Sequence, residues 1–323
     1  MFETCETGRY RGEEIGIATG GSSQEREISL QTGRAFAEAL RGRNYEVTVY
    51  DIATDLDALV DDRPAAVLLG LHGGRGESGA LQGYLETIEI PYTGSGVLAS
   101  ALAMDKRRTR VVCDKAGVPV ADAVWCSSRR LEDPETIARE VETEIGFPVV
   151  AKLNNSGSSF GVHLCERRAA LEDALERLAS DVTSSASSGV LVEELIEGPE
   201  YTVGFFDDQC LGVIEIEPGD GFYDFESKYE RGDTSYDIIS DDSICDPLVE
   251  WAKKALDAVG CRGVARVDFK GMPSGNRDVA MLEINPIPGM TETSLVPKLA
   301  AHQGLEFPEF VEAMVATARL DGA

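Results

Sequence analysis

The run AAVLLGLHGG at residues 65–74 constrains the fold more than any other part of the chain. It is apolar without alternation and ends in paired glycines. A strand of that kind is covered on both faces, as in a parallel sheet. Ile15 to Ala18 reads the same way. It is followed by a glycine turn at Gly20 to Ser23, an amphipathic helix from Ile28 to Leu40, and a second strand, YEVTVYDI. Strand, helix, strand in this order predicts an open α/β sheet of the Rossmann-like kind. In such sheets ligands bind beyond the carboxyl ends of the strands, where both paired-glycine turns fall.

With 323 residues, 43% of them hydrophobic, the chain can fill more than one core. Beyond the first sheet, IGFPVVAKL and VLVEELIEGPEYTVGFF read as strands, ALEDALERLASDV as an amphipathic helix, and the tail from Val296 as mostly helical. No apolar run approaches the roughly 20 residues that span a bilayer. The opening MFETCETGRYRGEE lacks the apolar stretch of a signal peptide and reads as a frayed, disordered extension.

The net charge of −27 repels nucleic acid and anionic membranes, so neither is an expected partner. Only eight of the 30 basic residues are lysines. An acid-rich, lysine-poor surface suits a cytoplasm of very high salt, which makes a halophilic source an expectation. The seven cysteines are scattered and form no CxxC, as in a reduced cytoplasmic protein.

Three places carry chemistry. GVARVDF and AMLEIN both read as strands. At period two, Arg266 and Asp268 share one face of the first, and Glu283 and Asn285 one face of the second. Either row alone fits a solvated sheet face. If the strands pair, three oxygen ligands meet beside an arginine, which is hard-cation chemistry suited to magnesium and phosphate. In KLNNSGSSFG, Lys152 ends a strand before a small-residue loop. Such loops cradle phosphate or simply turn hairpins, and this one lacks P-loop spacing. His72 follows a buried strand among glycines, and both a packed and a catalytic role stay open for it, as a structural role does for Glu77. The segment GFYDFESKYERGDTSY, residues 221–236, is too irregular for a helix or strand and reads as a lid or a linker.

The chain also resembles the D-alanine-D-alanine ligases of the ATP-grasp superfamily. Eight segments carry the resemblance, in family order: GGSSQEREISLQTG, LHGGRGESGALQG, PYTGSGVLASALAMDK, KLNNSGSSFG, EGPEYTVG, FYDFESKY, ARVDF and LEINPIPGMTETSLVP. The resemblance implies an ATP-grasp fold in three α/β parts after the extension at 1–14: an N-terminal pre-ATP-grasp domain at 15–98, a central subdomain at 99–192, and a C-terminal subdomain at 193–323. It implies ATP-dependent joining of two D-alanines through an acyl phosphate, for peptidoglycan precursor synthesis, in a cytoplasmic homodimer.

Residue by residue, the resemblance puts Lys106, Lys152 and Lys228 on the ATP phosphates, with Ser158 and Ser159 in the loop over them. Glu193 and Glu200 stand around adenine and ribose. Asp268, Glu283 and Asn285 would ligate two Mg2+ ions, or Mn2+. Glu25 would hold the first amino group, in a lid contact with Ser158 and Tyr229. Arg266 and the Gly289 N–H would stabilise the tetrahedral oxyanion. Ser294 and Leu295 would dock the second carboxylate, and His72 would stand near the substrates. Lys152-Leu153, Ser78, Glu194 and the Pro286-Ile287 pair depart from the commoner family residues. Two other readings remain at this stage: a ligase for a different pair, such as D-Ala-D-Ser, D-Ala-D-Lac or an unknown dipeptide, and a non-catalytic nucleotide-binding relative.

Overall fold

The computed structural model describes residues 8–157, 161–183, 188–217, 234–272 and 278–322. Strand β1 (Glu14–Thr19) leads into α1 (Arg26–Gly42), β2 (Glu46–Asp51), α2 (Leu56–Asp62) and β3 (Ala66–Leu69). The three strands form a parallel sheet in the order β2-β1-β3, as their continuous apolar runs predict. Alternation along β1 and β3 divides the burial. Ile15, Ile17, Ala66 and Leu68 pack with Phe36 and Leu40 of α1, while Ala18, Val67 and Leu69 pack with Leu59 on the other side.

Helices α3 (Gly74–Glu77), α4 (Ala80–Thr87), α5 (Val97–Ala103) and α6 (Lys106–Lys115) follow. The Asp105 carboxylate starts α6 by accepting from the Arg108 N–H at 3.0 Å. The next unit contains β4 (Ala123–Ser127), α7 (Pro134–Glu144), β5 (Val149–Leu153), β6 (Val162–Cys165), α8 (Arg168–Ala179) and β7 (Gly189–Glu194). Its strands make an antiparallel sheet in the order β4-β7-β5-β6, with α7 and α8 on one face.

The last sheet has the order β10-β9-β8-β11-β12. It combines β8 (Glu200–Phe206), β9 (Gln209–Glu217), β10 (Ser235–Ile239), β11 (Val264–Gly271) and β12 (Val279–Asn285). Helix α9 (Asp242–Val259) lies between β10 and β11 in the chain, and α10 (Leu295–His302) and α11 (Phe307–Ala316) complete it. One face of this sheet packs on α9 through Leu248, Ala252 and Leu256. Val296 and Leu299 of α10 and Phe310 and Met314 of α11 join the core that also holds Phe36 and Leu40, so the chain's last helices close the first sheet.

Two expectations differ from the structure. Residues 8–13 form turns and are not frayed: Tyr10 is buried and its hydroxyl donates to the Ala318 carbonyl at 3.1 Å. Residues 1–7 lie outside the described residues. Helices α5 and α6, expected within the central unit, pack on the five-stranded sheet through Ala99, Ala103 and Cys113. Their apolar stripes say that they are covered, and not by what. The six described cysteines are free, and Cys5 lies outside the described residues. Among the described residues no helix is long and apolar enough to cross a membrane.

Candidate functional site

Strands β11 and β12 pair antiparallel with Arg266 opposite Asn285 and Asp268 opposite Glu283. The two polar rows read from the sequence therefore meet on one face. The Arg266 guanidinium forks onto Asp268, Nε to Oδ1 and Nη2 to Oδ2, each at 2.9 Å. Asn285 Nδ2 donates to Asp268 Oδ2 at 3.1 Å. On the other flank Thr202 of β8 faces Asp268 in register and donates its hydroxyl to Oδ1.

This face is the shared wall of two cavities. The larger, of about 390 Å³, lies between the first sheet and the last. Its lining includes Glu25, His72, Arg266, Asn285, Gly289, Ser294 and Leu295. The smaller, of about 110 Å³, lies between the four-stranded and five-stranded sheets. Lys152, Glu193 and Lys270 line it, with Val150, Leu153, Val162, Ile196 and Met281 giving it apolar walls. Lys106, Ser156, Glu200, Asp268 and Glu283 line both.

Positive charge is held at that junction by opposed carboxylates. Lys106, the first residue of α6, reaches Glu283 Oε2 at 3.0 Å and the Ser156 carbonyl at 2.6 Å. Lys152 of β5 pairs with Glu193 at the end of β7, and the Arg110 guanidinium approaches the same carboxylate at 3.3 Å. Arg110 sits one helical turn after Lys106, so both project from the same side of α6.

Two loops close on Glu25 at the start of α1. A Cβ at Gly73, where φ is +70°, would collide with Glu25 Oε2, and one at Gly157 would come within 3.0 Å of it. Glycine at 73 thus admits the carboxylate to the loop that follows β3. His72 in that loop is buried, with Nε2 2.9 Å from the Thr32 hydroxyl and Nδ1 3.3 Å from the Ile287 carbonyl. Burial pulls its pKa down to about 4, so the imidazole is neutral. Glu77 accepts from the Gly73 N–H at 2.8 Å. Its own burial, reinforced by the Glu25 charge, pushes its pKa up to about 8.

Every site residue singled out in the sequence that falls among the described residues lines one cavity or both. Ser158, Ser159, Lys228 and Tyr229 lie outside the described residues, as does most of the 221–236 segment. Thr202, Thr32 and Ser29, which receives the His72 N–H at 3.0 Å, were missed. The alternation of Glu200, Thr202 and Gly204 along β8 was the available signal for the first.

A family model described as "D-ala D-ala ligase C-terminus" matches residues 112–316. The chain is 42% identical over 311 residues to the D-alanine–D-alanine ligase of Sinorhizobium fredii, covering 94% of this chain and 97% of that one. It is 43% identical over 312 residues to that of Desulforudis audaxviator, covering 94% and 98%. This chain belongs to the D-alanine–D-alanine ligase family. Among solved structures, the D-alanine–D-alanine ligase of Bacillus anthracis superposes with a TM-score of 0.80 at 29% identity, covering 94% of this chain and 97% of that chain. The same enzyme complexed with ATP gives 0.77 at 27% identity, covering 94% and 97%. The fold is therefore the ATP-grasp fold of these ligases. In this family member, the smaller cavity lies between the two ATP-grasp sheets and the larger one opens toward the N-terminal sheet.

Proposed function

We propose that this chain is an ATP-dependent ligase that joins two D-alanine molecules into D-alanyl-D-alanine, releasing ADP and phosphate. The observation that carries the reading is the shared wall. A nucleotide in the smaller cavity would present its terminal phosphate to the larger one beside Lys106, Asp268 and Glu283. The near full-length match to ligases of that name supports the substrate.

The chemistry follows from the residues. The carboxylate of the first D-alanine attacks the γ-phosphoryl group, forming an acyl phosphate and ADP. The amine of the second then attacks the acyl carbon, and phosphate leaves. Phosphoryl transfer asks for positioning and charge neutralisation, which Lys106 and Lys152 supply from two elements. Glu193 and Glu200 hold the base and ribose. Glu25 holds the first ammonium group at the start of α1. Arg266 and the Gly289 N–H receive the negative charge that builds on the tetrahedral oxygen. Ser294 and Leu295, at the N-terminus of α10, take the second carboxylate. The neutral His72 lines the same cavity.

Asp268, Glu283 and Asn285 would hold Mg2+. Among the described residues no trio of His, Cys, Asp or Glu gathers as a cage. Two carboxylates and an amide instead suit an ion that shares its shell with phosphate oxygens and water. Bound there, Mg2+ would neutralise charge on the transferred phosphoryl group. The reading extends to a cytoplasmic homodimer in a cell of high internal salt.

Release of ADP on adding D-alanine and Mg-ATP, with the dipeptide identified by mass spectrometry, tests the proposal. The VanG D-Ala:D-Ser ligase of Enterococcus faecalis superposes with a TM-score of 0.76 at 27% identity, so D-serine belongs in the same screen. Turnover of other pairs with none of D-alanine would overturn the substrate. ATP binding with no ADP formed for any pair would overturn the reaction.

A further inference from the structure

We propose that Thr202 is a positioning residue for the metal ligand Asp268, fixing the orientation of its carboxylate from the neighbouring strand. The inference rests on the reading of Asp268 as a ligand given above.

Thr202 is fully buried in β8, between Tyr201 and Val203, whose side chains belong to the apolar core beneath the sheet. Alternation turns Thr202 to the opposite face, toward the site. It faces Asp268 in register and its hydroxyl donates to Oδ1. The same carboxylate is gripped by the Arg266 fork and by Asn285 at 3.1 Å. The donors on Asp268 thus come from three adjacent strands, β8, β11 and β12.

A carboxylate held only by Arg266, whose own side chain is long, could turn about its terminal torsion. The short threonine side chain adds a fixed point on a central strand. It gives Oδ1 a donor from a second strand and fixes the plane of the carboxylate that a cation would meet. Outer-shell partners of this kind typically govern metal affinity by 10–100-fold.

The test measures Mn2+ binding directly, from the electron paramagnetic resonance signal of free Mn2+, with a non-hydrolysable ATP analogue present. Thr202→Val is expected to weaken Mn2+ binding roughly 10-fold, while Thr202→Ser, which keeps the donor, binds as the parent does. Thr202→Ala provides the same comparison if the valine variant does not fold. Parent-like Mn2+ affinity in the variants lacking the hydroxyl, with only the melting temperature lowered, overturns the proposal. Absence of nucleotide-dependent Mn2+ binding in the parent overturns it at its base. A parent that binds Mn2+ but forms no ADP with D-alanine fails the ligase reading alone, and leaves the threonine comparison standing.

Discussion

Lys106 Nζ stands 3.0 Å from Glu283 Oε2, joining the first turn of α6 to β12 at the point where the two cavities meet. The lysine is 12% and the glutamate 22% exposed, so the pair is shielded but reachable from either cavity. Opposite charges held close in the resting protein are available to a phosphate and its counter-cation without a large movement.

Glu283→Gln keeps the shape of that side chain and removes its charge. Turnover is expected to fall by at least about 100-fold, the scale on which a directly placed electrostatic group acts. Stability should change by about 1 kcal/mol, since Glu283 is not a core residue. Steady-state ADP release and a urea titration check the two effects separately. A loss of stability that matches the loss of activity would contradict a role in the site.

How much of this was legible depended on whether period and register were enough. Arg266 and Asp268, and Glu283 and Asn285, were readable as two faces because strand alternation is local. Their meeting needed only that β11 and β12 pair. Ile15–Ala18 and Ala66–Leu69 were readable as parallel strands because unbroken apolar runs mean cover on both faces. Thr202 was not, because its partner comes from a strand more than sixty residues on. The destination of α5 and α6 was also hidden, because an amphipathic helix declares its apolar face and not its neighbour.

Glu77 predicts a pH dependence. It is buried beside Glu25, with Glu283 and Arg266 also acting on it, and its pKa is raised to about 8 from an ordinary 4.5. Between those values the folded chain binds a proton that the unfolded chain has released. The contribution to stability is therefore fully present below about pH 4.5 and is lost as pH rises through about 8. Glu77→Gln removes the titrating group. Its melting temperature relative to the parent should climb from pH 5 to pH 8. A difference that stays constant across that range would show that Glu77 does not carry the proton.

Glu312 predicts an effect on stability that spares the site. Its side chain is fully buried on α11 and accepts from Tyr45 at 2.9 Å, Arg43 Nε at 2.6 Å and Arg11 at 3.0 Å. The contacts tie the chain's start, the end of α1 and the last helix together. Glu312→Gln removes the charge that two partly exposed guanidinium groups share and weakens three hydrogen bonds, so it should lower stability by about 1–2 kcal/mol. KM values for ATP and D-alanine should not move, because Glu312 lines neither cavity. Equilibrium unfolding with parallel kinetics distinguishes this from a role in substrate binding.

The charge balance predicts how the fold answers to salt. With 57 acidic against 30 basic residues, acidic side chains outnumber basic ones nearly two to one, and their mutual repulsion opposes the compact state. At about 1 M salt the Debye length shrinks to about 3 Å, which removes that repulsion. Exposed pairs such as Arg139–Glu135 weaken at the same time, but each contributes little in water. The shielded contacts at Glu312 and at Lys106–Glu283 lie where screening is weaker. The balance favours the folded state, so the melting temperature should rise steadily from low KCl to about 2 M. A flat or falling curve over that range would remove the case for a high-salt cytoplasm.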